Sequence, residues 1–222
     1  MIAIVWLFEV RPGSETEFER FYGAVMPQNN PRFSPKTARL PKYGHSYEGA
    51  YLVKRGLYLP EELPELLGRE MAEEGLRELA ILDRIRDTMT PDPGSPIARV
   101  AAMESALFMR NQLLRDIDWA SMAHSLEVRV PLVDAFLLRQ VAPAVFSNGV
   151  LDGKDLMARS PRTPLPQAVL SRKKTGFTLP IRDWLVDHHG EVPLNLFGMR
   201  PWALFLYQQV WGGTALAGQT AA

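Results

Sequence analysis

The chain contains no cysteine, which excludes disulfides, thiolate nucleophiles and cysteine-based zinc or iron–sulfur sites. Neither sign of charge is in excess: Lys plus Arg and Asp plus Glu both number 25. The balance therefore gives no reason to expect nucleic acid or an anionic membrane as a partner. Long hydrophobic runs are lacking as well, and nothing approaches the roughly 20 apolar residues that span a bilayer. His45, His124, His188 and His189 show no metal-ligand spacing, and His188-His189 sits where a helix end favours cations. A soluble, cytoplasmic protein without a metal site is the expectation.

Enough is present for one sizeable core or two small ones: 222 residues, 46% of them apolar and 23% charged. The opening Met1 to Phe8 superficially resembles a signal peptide. It has no basic start, Glu9 and Arg11 interrupt it, and a small-residue cleavage site is missing, so a short buried strand over residues 2–10 is predicted instead. A turn at Arg11 to Ser14 and the Ser14/Glu17 capping box lead into a helix ending near residue 23. One strand and one helix cannot bury their own apolar faces.

Residues 24–46 carry Pro27, Pro31, Pro35 and Pro41 and read as a linker. Helical periodicity then takes over from Tyr47. Helices are predicted over 61–67, opened by Pro60, then over 70–89, 97–117, 134–145, 181–187 and 201–211, with a further one after Asp152. Residues 120–131 have fewer periodic cues, and 212–222 read as a disordered tail. The body over residues 47–211 is mainly α.

Two segments could carry chemistry. In Ser121 to Asp134, charges punctuate apolar residues at intervals fitting neither period 2 nor 3.6. Taken singly, Glu127 and Arg129 read as an internal ion pair and Asp134 as a helix N-cap. In Ser171 to Phe177, Arg172, Lys173 and Lys174 close on Gly176, either as a loop that meets phosphate or as a solvated surface.

Together these segments resemble one family. Ser121-Met122-Ala123-His124-Ser125-Leu126-Glu127-Val128-Arg129-Val130-Pro131-Leu132-Val133-Asp134 resembles the S-M-A-x-S-L-E-V-R-x-P-x-x-D signature of glutamine-dependent asparagine synthetases. Lys154-Asp155-Leu156, Leu165-Pro166, Arg172 to Pro180 and Trp184-Leu185 follow the order of that family's later motifs, and Gly49 to Leu63 is similar to the stretch upstream in some bacterial members. The likeness covers about residues 32–211. It implies the C-terminal helical part of an adenine nucleotide α-hydrolase-like α/β domain. The implied chemistry is ATP-dependent, magnesium-assisted adenylation of the aspartate β-carboxylate, followed by displacement of AMP by ammonia. The resemblance assigns Lys174 the catalytic place beside the phosphates. Ser121, Glu127, Arg129, Arg172 and Gly176 become pocket wall.

The sequence also holds no N-terminal cysteine nucleophile, no S-G-G-x-D-S phosphate loop and no S-G-x-G-x-D-E motif. The expectation is a C-terminal fragment, inactive alone, whose partner is a chain supplying the glutaminase and nucleotide-binding half. A non-catalytic remnant or interaction module is the alternative. Residues 1–23, with Ile4 to Gly13 and Glu15 to Gly23, resemble the opening strand and helix of ferredoxin-like antibiotic-biosynthesis-monooxygenase proteins. That likeness covers one tenth of the chain and confers no activity by itself.

Overall fold

Capping side chains and prolines set most of the helix starts. The computed structural model describes residues 36, 39–147, 158–163, 165–172, 180–189 and 199–211. The expected strand at 2–10 and the helix at 14–23 lie outside them. Helix α1 (Leu40–Tyr43) forms at the end of the stretch read as linker. Pro41 occupies its first turn, where a missing N–H costs no hydrogen bond. Helix α2 (Tyr47–Arg55) starts at Ser46, whose Oγ accepts from the Gly49 amide at 3.1 Å. Gly49 is required by close approach, since a Cβ there would stand 2.1 Å from the Tyr43 carbonyl oxygen.

A 3-10 turn (Pro60–Glu62) and α3 (Leu63–Leu67) follow, the Glu62 carboxylate accepting from the Leu59 amide at 2.7 Å. The helix expected over 70–89 is in fact two, α4 (Arg69–Leu79) and α5 (Ile81–Asp87). They break at Ala80, which takes left-handed backbone angles (φ 43°) at a cost of about 1–2 kcal/mol. The bend lets α5 pack against α2 and bury Ile85.

Helix α6 (Pro96–Met103), a π-helical segment (Glu104–Leu114) and α7 (Arg115–Met122) run without interruption. The helix thus extends past the expected end at residue 117 into the signature string. Helix α8 (Ala135–Ser147), α9 (Gln167–Leu170), α10 (Ile181–His189) and α11 (Arg200–Trp211) complete the described elements. No strand occurs among the described residues, and the described fold is mainly α, as expected. No helix among them is long and apolar enough to cross a membrane.

The core lies in the first half. Leu40, Tyr43, Tyr51, Leu52, Val53, Leu59, Ile85 and Met103 form it, with Leu59 only 1% exposed. Arg55 fastens α2 to the start of the π segment. Its guanidinium donates twice to Glu104, at 3.0 and 2.6 Å, and lies 3.6 Å from the Phe108 ring centre. Helix α11 is tied back by Arg200, which pairs with Glu62 at 2.8 Å, donates to the Leu57 carbonyl at 2.9 Å and covers the Tyr58 ring. Beyond Met103 the picture inverts. Between Glu104 and Pro143 no residue is buried, and Leu113, Ile117, Trp119, Met122, Leu126, Leu132 and Phe136 all face outward.

Candidate functional site: the signature segment and its groove

Helix α7 ends inside the signature string through a backbone motif. The Ser125 amide bonds the Met122 carbonyl at 3.0 Å, and the Leu126 amide bonds that of Ser121 at 3.0 Å. Ser125 takes the left-handed conformation (φ 58°) that this Schellman arrangement needs. The motif ends the helix, and residues 126–130 follow it without regular secondary structure.

Val128 and Val130 line a groove against the helix. Glu127 and Arg129 pair with each other, the Arg129 Nε donating to Glu127 at 2.9 Å. The pair is not internal, because the side chains are 71% and 83% exposed. A pair so exposed contributes roughly 0–1 kcal/mol. Asp134 caps α8, accepting from the Leu137 amide at 2.7 Å, so the N-cap reading holds for that residue.

Ser121 is half-buried near the end of α7, and its hydroxyl donates to the Asp118 carbonyl at 3.1 Å. Arg172 follows α9 on the surface. Lys174 and Gly176 lie outside the described residues. The residues that the sequence reading missed are on the opposite wall of the groove: Arg110, Asn111, Leu114 and Arg115. The groove is open, about 480 Å³, and Ile117 and Asp118 extend it. The residues of that wall fall where the π segment meets α7, a junction that no apolar periodicity announces. The groove holds one carboxylate, and no group of three His, Asp or Glu able to hold a metal ion occurs among the described residues. These residues therefore do not by themselves fit a nucleotide with its magnesium.

The perturbed titrations lie in the core module, away from the groove. Burial, then the hydrogen bond to Glu61 at 2.6 Å, pushes the Tyr43 phenol well up. Burial and then the Glu104 charge raise Tyr51, while burial followed by the Arg200 charge lowers Lys36.

The family model for asparagine synthase matches residues 19–193, which takes in both the signature segment and the basic loop. The chain belongs to the asparagine synthase family. It is similar to asparagine synthetase [glutamine-hydrolyzing] 1 of Bacillus subtilis strain 168, with 33% identity over 104 residues. That alignment covers 46% of the chain and 16% of the relative's own length. A Mycobacterium tuberculosis H37Rv protein bearing the provisional name asparagine synthetase [glutamine-hydrolyzing] is 35% identical over 92 residues, 40% of the chain and 14% of that protein. The chain thus matches about one sixth or less of the length of these relatives. No solved structure gives a significant match.

Proposed function

We propose that this chain forms the C-terminal helical wall of an asparagine synthase-type, ATP-dependent amide synthetase and works only with a nucleotide-binding half supplied from elsewhere. The observation that carries the reading is the exposure of the family's own signature. Residues 121–134 and the helices on either side present Trp119, Met122, Leu126, Leu132 and Phe136 to solvent, while the core over residues 40–107 is closed. A patch of that size suits a surface that another layer covers.

In this reading ATP with magnesium supplies the activating phosphoryl chemistry and aspartate is the first substrate to try. Lys174 is the residue the family motif assigns to meet growing phosphoryl charge, with Arg172 and Gly176 in the same motif and Ser121, Glu127 and Arg129 as the wall. The partner is a polypeptide bearing the S-G-G-x-D-S loop, the acidic motif and the glutaminase, and the cytoplasm is the compartment. Residues 1–23 are given no catalytic part.

The test is reconstitution. The chain alone with ATP, magnesium, aspartate and ammonia should release no pyrophosphate, and adding a complementary half from a relative should restore release. Lys174→Ala in the reconstituted pair should then lower turnover by at least about 100-fold, the scale of one lost transition-state contact. Failure to reconstitute with a well-folded partner favours the non-catalytic alternative.

A further inference from the structure

The groove between the helix and residues 128–130 has a chemistry of its own. On an unbroken α-helix, residues five apart would point about 140° away from each other. Arg110, near the end of the π segment, and Arg115, the first residue of α7, nevertheless both line this groove.

Neither has a carboxylate partner among the described residues. Arg110 donates to its neighbour Asn111 at 3.0 Å, and Arg115 stacks 4.4 Å over the Trp119 ring. Stacking occupies the face of a guanidinium and leaves its donor edge available. Two cations and the one carboxylate of Asp118 leave a formal charge of +1 in the groove. The remaining walls, Leu114, Ile117, Val128 and Val130, are apolar. A volume of about 480 Å³ suits a small organic ligand.

We infer that this groove binds a small monocarboxylate with an apolar body, the carboxylate on the forks of Arg110 and Arg115 and the body along Val128 and Val130. The forked, planar guanidinium matches a carboxylate in shape, and one negative charge matches the net charge of the groove. The site is separate from the Lys174 loop in sequence, and the inference stands without the proposed synthetase role.

Isothermal titration of the full chain with sodium octanoate tests it, with sodium acetate, octylammonium and octyl phosphate as controls. Octanoate should saturate at one site, acetate should bind far more weakly for want of a body, and octylammonium should not compete. Arg110→Gln with Arg115→Gln should weaken octanoate at least about tenfold, the loss of one charge-assisted contact. Asp118→Asn should tighten it several-fold, a gain that misfolding cannot mimic. Octanoate binding unchanged in both variants, or equal binding of octylammonium, overturns the inference. Octyl phosphate binding tenfold tighter than octanoate overturns the choice of carboxylate.

Discussion

Replacing Arg55 with methionine keeps an aliphatic stem and removes the guanidinium that joins α2 to the π segment. The wild-type side chain makes two charge-assisted bonds to Glu104 and lies 3.6 Å from the Phe108 ring centre. Hydrogen bonds to charged groups contribute about 1.5–3 kcal/mol. A cation over a ring adds about 0.5–2 kcal/mol. Arg55 is 24% and Glu104 31% exposed, so water screens part of this. A net loss of about 2–3 kcal/mol is expected, some of it from leaving Glu104 without its cation. With a urea slope of about 2–3 kcal/mol/M, the midpoint should fall by about 1 M while the slope stays constant. Circular dichroism in urea measures this. A cycle with Glu104→Gln isolates the pair, and a coupling of at least about 1 kcal/mol is expected. Coupling within about 0.3 kcal/mol of zero refutes the reasoning, because it would mean that the clasp holds nothing.

Three further outcomes are expected. Tyr43→Phe should cost about 1–2 kcal/mol by depriving Glu61 of its donor. Because burial and Glu61 raise the Tyr43 pKa, its contribution is whole below the unfolded value near 10 and fades as pH climbs above that. The phenylalanine variant should lose this alkaline decline, and urea midpoints between pH 8 and 11 decide it. Asp92 should titrate at about 2, since Arg99 donates to both its oxygens, at 2.8 and 2.6 Å, and the Gly94 amide adds a third bond. Its contribution is therefore present above about pH 4 and lost as pH falls through about 2, and carbon-13 NMR of the carboxyl should show the ordinary value only in Arg99→Leu. Asp134→Ala should loosen the start of α8 by about 1 kcal/mol in hydrogen exchange, and unchanged protection at Leu137 contradicts the cap.

Where local chemistry decides, the sequence was legible. Ser46 and Asp134 start helices through their own oxygens, and Pro60 and Pro96 sit in first turns, so α2, α3, α6 and α8 could be anticipated. Where packing decides, it was not. Ala80 carries no glycine or proline signal, yet it breaks the 70–89 helix so that Ile85 can reach the core. Arg110 and Arg115 line one groove at the junction of the π segment and α7, which neither apolar spacing nor residue type marks. Glu127 and Arg129 suit an internal pair because buried charges need partners, but both side chains lie in solvent. The family motifs told more than periodicity could. The matched range 19–193 bears out the family.

If the exposed signature face is half of a synthetase site, its missing half should restore catalysis. Pyrophosphate release with ATP, magnesium, aspartate and ammonia decides this, measured from the chain alone and after adding a folded polypeptide that carries the S-G-G-x-D-S half. Neither component alone should release any, and the mixture should show release that disappears with Lys174→Ala. Aspartate-dependent release from the chain alone, or restored release indifferent to Lys174→Ala, would contradict it.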